Sequence, residues 1–246
     1  MAPQIHLTID NGNTSTKVVV FADDVIRFRK VYTSFTAKDL KSLYLRFKPD
    51  ASIISSVTKL SSALLKFLRS REHFLDLSGK TPVPLKMSYK TPQTLGTDRL
   101  AGIVGVSKLF PKQNVLVIDL GTCIKYDFLS KKNKYIGGSI SPGLNMRLKA
   151  LHDYTGRLPL LKPSSVKGFE GSSTKESILS GVQVGIVAEM EGFISRYKKK
   201  YGLVKIVLTG GDAHCFAGQL KMSIFAAPDL VSIGLNEILI FNAESQ

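Results

Sequence analysis

The fold of this chain turns on IDNGNTSTKVVVF, residues Ile9 to Phe21. Apolar residues at Ile5, Leu7 and Ile9 alternate up to Asp10, and after Gly12 the β-branched run Val18-Val19-Val20 carries a second strand. A turn between two strands needs only a Gly and an Asn. This one also holds a carboxylate, the hydroxyls of Thr14, Ser15 and Thr16, and Lys17. A tight glycine turn points backbone N–H groups into one concavity, and Asn11, Asn13 and the hydroxyls add polar side chains, which together suit a phosphate. Asp10 can hold hydrated Mg²⁺, an ion that takes one or two carboxylates plus phosphate oxygens. The plainer alternative is a hairpin whose Asp and Asn bond the turn backbone.

The same logic recurs a little under half the chain later. NVLVIDLGTCIKYDFL (Asn114 to Leu129) again reads apolar strand, Asp119, one residue, Gly121, Thr122, second strand. A third glycine turn closes a strand in KIVLTGGDA, Lys205 to Ala213. Two halves opened by strand–Asp-x-Gly–strand imply an α/β chain of duplicated domains, 1–111 and 112–246, with a nucleotide cleft between them. Strands are expected at 4–10, 16–22, 25–33, 52–55, 114–119, 123–129, 134–140 and 204–209, and helices at 59–71, 98–110, 143–152 and 174–201. Thr174 is the expected N-cap of the last helix, which should end at Lys198-Lys199-Lys200 before Gly202. The Pro- and Gly-containing segment 79–97 reads as a long functional loop.

Composition narrows the class. The 246 residues are 43% hydrophobic, with no apolar run near the roughly 20 residues of a membrane span. The opening MAPQIHLTID has neither a basic region nor a long apolar segment, so export is not expected. Cys123 and Cys215 make no metal-type pair and suit a reducing cytoplasm. His6, His73, His152 and His214 lie far apart without metal-ligand spacing. The net charge of +15 fits either a nucleic-acid surface or a solvated surface that attracts anions such as ATP. Its cations are mostly scattered, and no helix-turn-helix or zinc pattern accompanies them, which favours the second.

TPQTLGTDRLAGIVGV, Thr91 to Val106, adds a second group of chemical side chains at a loop-to-helix junction. Thr97 or Asp98 there can be an N-cap. Equally, Asp98 can accept a proton from a substrate hydroxyl while Arg99 clamps a carboxylate with its planar fork. The chain has neither a G-x-x-x-x-G-K-[ST] loop nor a G-x-G-x-x-G fingerprint.

Taken in order, Asp10-Asn11-Gly12-Asn13-Thr14-Ser15-Thr16-Lys17, Gly96-Thr97-Asp98-Arg99, Asp119-Leu120-Gly121-Thr122, Gly137-Gly138 with Pro142-Gly143, Ser173-Thr174 with Gly181, and Thr209-Gly210-Gly211-Asp212 resemble the type III pantothenate kinases of bacteria. That family belongs to the superfamily of acetate and sugar kinases, actin and heat-shock chaperone ATPases, so the resemblance implies two ribonuclease H-like (actin-like ATPase) domains. It also implies transfer of phosphate from ATP to pantothenate, giving 4′-phosphopantothenate at the start of coenzyme A synthesis. Carried over by motif, residues 10–17 and Thr122 would bind ATP, with Asp10 near Mg²⁺. Asp98 would be the base, and Tyr89, Gly96, Thr97, Arg99 and Thr174 would contact pantothenate. Asp119 would bind the K⁺ or NH₄⁺ that the family uses. The family's sites form at a homodimer interface, from which Thr174 would act on the partner subunit.

In one place the chain departs from this pattern. After Gly121-Thr122 the family usually has Ala-x-Thr, whereas here Cys123-Ile124-Lys125 follows. A lysine there can lie near the nucleotide phosphates, or disturb or replace the monovalent ion at Asp119. Strand alternation is expected to turn it away from Asp119, which favours an intact cation dependence. The competing functions are another small-molecule kinase of the superfamily, since Asp-x-Gly turns do not choose the acceptor, and a DNA-binding or transcription-accessory protein supported by the charge alone.

Overall fold

A computed structural model describes residues 3–166 and 168–243. The chain runs β1 (Ile5–Asn11), β2 (Thr16–Ala22), β3 (Val25–Tyr32), α1 (Ala37–Phe47), β4 (Ala51–Ser56), α2 (Ser62–Arg69), β5 (Phe74–Asp76) and β6 (Lys86–Met87). It continues with α3 (Thr97–Leu109), β7 (Val115–Leu120), β8 (Cys123–Ser130), β9 (Lys134–Pro142), α4 (Leu144–Asp153), α5 (Thr174–Tyr201), β10 (Lys205–Thr209), α6 (Ala213–Phe216), β11 (Phe225–Ala226) and α7 (Leu230–Ala243). Two compact units result: residues 1–112 with 133–135 and 229–246, and residues 113–132 with 136–228. The expected single cut at 111/112 therefore describes only the first crossing of the chain, because its last helix returns to the first unit.

The first unit is built on a sheet of order β3-β2-β1-β4-β5, with β1–β2 and β2–β3 antiparallel and β1–β4 and β4–β5 parallel. Strand alternation sorts its side chains between two faces. Leu7, Ile9, Val18, Val20 and Ile54 enter one core cluster with Leu40 and Leu43 of α1 and Leu64 and Leu68 of α2. The opposite face takes α7, where His6 Nδ1 lies 2.9 Å from Asn236 Oδ1. α7 packs on α3 at very short range. A Cβ on Gly234 would overlap the Ala101 carbonyl, so glycine is what lets the two backbones meet. α1 was not expected, although Leu40, Leu43, Tyr44 and Phe47 recur at helical spacing toward this core and it carries a complete capping box in which Thr36 and Asp39 each bond the other's backbone N–H.

In the second unit β11, β10, β7, β8 and β9 follow one another across the sheet. β6 pairs with Lys134 and Tyr135, the first residues of β9, which cluster with the first unit. Leu116, Ile118 and Leu120 of β7 and Ile124, Tyr126 and Phe128 of β8 form a core with α4 and α5. α5 ends as expected, with Lys198, Lys199 and Lys200 in its last turn and Gly202 as C-cap at φ +75°. Its N-cap is Ser173, whose side chain accepts from the Glu176 N–H, so Thr174 is the first helical residue and not the cap. Among the described residues α5 is also the one helix long and apolar enough to cross a membrane, which no segment was expected to be. Its Ile178, Leu179, Val182, Ile186, Met190 and Ile194 are buried in the core of this unit.

Candidate active site

The opening hairpin forms as its sequence dictates. Asp10 faces Lys17 and Asn11 faces Thr16 across β1 and β2, and Gly12 N donates to Ser15 O at 3.0 Å to close the turn. Residues directly opposite in an antiparallel pair project from the same face. Asp10 and Lys17 therefore share a face, the one opposite the Leu7/Ile9 core. Asn13 and Thr14 are exposed at the tip, while Thr16 is buried. Asn11 is committed to bracing: its Nδ2 donates to Ser56 Oγ at 2.9 Å and Thr58 Oγ1 at 2.7 Å, and its Oδ1 accepts from Thr16 Oγ1 at 2.7 Å. Lys17 Nζ lies 3.0 Å from Asp229 Oδ1, and Arg29 pairs with the other oxygen of Asp229 at 2.6 Å.

A buried hydroxyl links this turn to the second motif. Asp10 is the parallel neighbour of Ser55 in β4. Ser55, fully buried, places its Oγ 2.8 Å from Thr97 Oγ1 at the start of α3. Thr97 and Asp98 are not caps: the N-cap is Gly96, which has no side chain to bond with. Asp98 sits in the first turn, and its Oδ1 accepts from the Arg99 N–H at 2.8 Å. A Cβ on Gly96 would stand 2.6 Å from that same oxygen, so the carboxylate folds over the glycine. A carboxylate at this end also suits the helix dipole.

Arg99 is only 8% exposed. Its guanidinium donates to Tyr135 Oη at 3.0 Å and lies 5.7 Å from the Tyr89 ring centre. Tyr89 stacks on Tyr135 with centroids 5.7 Å apart. The structure thus gathers Tyr89, Gly96, Thr97, Asp98 and Arg99 into one cluster and adds Ser55 and Tyr135, which sequence reasoning missed. Neither stands in a recognisable motif, because each is recruited by sheet register.

The second hairpin repeats the register of the first. Asp119 faces Lys125 across β7 and β8, and Asp119 is also the parallel neighbour of Thr209 in β10. Here the expectation for Lys125 fails: its Nζ lies 2.7 Å from Asp119 Oδ2. Alternation applies along one strand. Across a hairpin centred on Thr122, residues equally far from the centre share a face. The third glycine turn closes on the same carboxylate. Gly210 has φ +94°, and a Cβ there would stand 2.5 Å from Asp119 Oδ1, while Asp212 N donates to Leu120 O at 2.9 Å. Thr122 is exposed in the turn, and its carbonyl accepts from Gly143 N at 3.1 Å. Thr174 is exposed at the start of α5.

Behind this turn Glu189 of α5 accepts from Tyr126 Oη at 2.8 Å and Ser141 Oγ at 2.5 Å, and pairs with Arg147. Burial pushes the Glu189 carboxyl up, but the bonds from Ser141, Arg147 and Tyr126 outweigh it and hold the group below its ordinary value. Burial, and then Glu189, push the Tyr126 phenol up. Among the described residues no three His, Cys, Asp or Glu side chains are arranged to hold a metal ion. A site for Mg²⁺ of the kind that borrows phosphate oxygens needs no such trio, and Asp10 beside a phosphate-type turn fits it.

This architecture, with two α/β units each opened by an Asp-bearing hairpin, is that of the actin-like ATPases. Solved structures of the same fold include the activator of 2-hydroxyisocaproyl-CoA dehydratase from Clostridium difficile with bound ADPNP (TM-score 0.57, 13% identity, 98% of this chain and 96% of that one). A Campylobacter jejuni protein described as a conserved Baf family transcriptional activator aligns with TM-score 0.61 at 21% identity, covering 97% of this chain and 99% of that one, and at that distance speaks for the fold alone. The sequence profile of type III pantothenate kinase matches residues 6–196. The type III pantothenate kinase of Christiangramia forsetii is 42% identical over 243 residues, spanning 97% of this chain and 99% of its own length. The chain belongs to the type III pantothenate kinase family.

Proposed function

We propose that the protein transfers the terminal phosphoryl group of ATP to the primary hydroxyl of pantothenate, giving 4′-phosphopantothenate for coenzyme A synthesis. Family membership over nearly the full length carries this reading, and the cluster at the start of α3 supports it. Phosphoryl transfer asks a protein mainly for positioning and charge neutralisation. The N–H groups and hydroxyls of residues 12–16, with Lys17 and Thr122, would hold the nucleotide. Asp10 would hold Mg²⁺, which when bound neutralises phosphate charge. Asp98 would take the hydroxyl proton, fixed in place by the Arg99 N–H. Arg99 would bind the carboxylate of pantothenate, with Tyr89 and Tyr135 holding its guanidinium in one plane.

The acceptor test is direct. With MgATP, purified protein is expected to phosphorylate pantothenate and to give no comparable turnover on acetate, glycerol or hexoses. Turnover on a sugar with none on pantothenate would refute the reading. Arg99→Lys keeps a charge but loses the planar fork and its bond geometry to Tyr135. It is expected to raise the KM for pantothenate by about tenfold or more while the KM for ATP changes little, since a bidentate charged contact of about 1.5–3 kcal/mol is lost. Equal changes in both KM values would remove Arg99 from the acceptor site.

The functional unit in this reading is a cytoplasmic homodimer in which Thr174 reaches the partner's acceptor site. The free thiols of Cys123 and Cys215 and the exposed Tyr154, Leu160 and Phe169 upstream of Thr174 support it.

A further inference from the structure

The monovalent cation expected at Asp119 meets a carboxylate that is already answered. Lys125 Nζ lies 2.7 Å from Asp119 Oδ2, and the two side chains are only 17% and 19% exposed. The other oxygen, Oδ1, faces the backbone of Gly210 too closely for even a Cβ to intervene. β7 and β8 hold the pair in register as direct cross-strand partners, so the ammonium is placed there by the sheet and not by a chance rotamer. A lysine ammonium is a compact point charge with three donors, in effect an ammonium ion tethered to the chain. A K⁺ or NH₄⁺ at Asp119 would have to displace it and leave a half-buried lysine without its counter-charge, which is costly. The residues present do not fit an additional ion.

We propose that Lys125 is the built-in cation of the second turn, standing where a dissociable K⁺ or NH₄⁺ would otherwise be needed, so that nucleotide binding and turnover are independent of both ions. The proposal rests on the reading of the Asp119 turn as part of the nucleotide site. Tethering makes the charge permanent and removes the entropic cost of recruiting an ion. It also accounts for the departure at Cys123-Ile124-Lys125: the chain carries a cation where the pattern has Thr, at the residue that pairs with Asp119 across the hairpin.

The experiment compares wild type with Lys125→Met, which keeps the stem and loses the charge, and Lys125→Thr, which restores the family's usual residue type. Two quantities are measured in Na⁺ buffer rigorously free of K⁺ and NH₄⁺ and again with K⁺ added: the Kd for MgADP by calorimetry and the turnover of pantothenate. Wild type is expected to change less than about twofold in either. Both variants are expected to bind MgADP about tenfold or more weakly without K⁺ and to regain most of that loss when it is added. A wild type that needs K⁺, or variants as indifferent to K⁺ as wild type, would overturn the proposal. If pantothenate is not turned over in any salt, the acceptor reading fails, and the MgADP affinities still decide the role of Lys125. A variant that does not fold in Na⁺ but folds in K⁺, followed by circular dichroism, counts in its favour; one that folds in neither leaves the decision to the other variant and to the wild-type comparison.

Discussion

Asp98→Asn is expected to lower turnover of pantothenate by about 10²–10⁴, the usual worth of general-base help, with the protein otherwise intact. Asparagine keeps an oxygen able to accept the Arg99 N–H that now bonds Asp98 Oδ1 at 2.8 Å, so the side chain should stay folded over Gly96. Stability should fall only by the loss of a negative charge in the first turn of α3, about 0.3–1 kcal/mol. The amide cannot accept the hydroxyl proton. Turnover and melting temperature therefore separate chemistry from scaffolding: a small shift in Tm with a large loss of kcat supports the base. Because no cap bond is at stake, near-normal turnover in a folded variant would leave Asp98 with a purely local backbone role, and the base would have to be another group.

Asp10→Asn is expected to reduce turnover by about 10- to 100-fold and to raise the Mg²⁺ concentration needed for half-maximal rate, because a neutral amide oxygen holds a hard cation far less well. The hairpin itself should survive. Its turn is closed by Gly12 N to Ser15 O and braced by Asn11 against Ser56 and Thr58, and Lys17 keeps its partner in Asp229. A magnesium titration of rate, run beside circular dichroism, measures both sides of this expectation. A folded Asp10→Asn protein with wild-type magnesium dependence would return the turn to a simple hairpin.

Both turns, the strands around them and the junction at Gly96-Thr97-Asp98-Arg99 were legible in the chain, because each is local: a period of two, a glycine, then side chains within a few residues of one another. Legibility fell where a segment lacks an amphipathic stripe. α7 is apolar nearly all round, with Leu230, Leu235, Ile238 and Leu239 buried, and such a helix gives no periodic signal. α1 has no such excuse, since Leu40, Leu43, Tyr44 and Phe47 stand at helical spacing behind the Thr36/Asp39 capping box.

The sequence by itself determined the two Asp-bearing hairpins, the α/β class and the family, since these depend on residue order and near neighbours. Tertiary structure alone decided that α7 rejoins the first unit, that Ser55 and Tyr135 stand among the Asp98 cluster, and that Asn11 braces the turn. It also decided that Lys125 meets Asp119. Each of these depends on register between strands or on close approach between helices, and a single chain read residue by residue contains alternation within a strand but not the offset that sets two strands face to face.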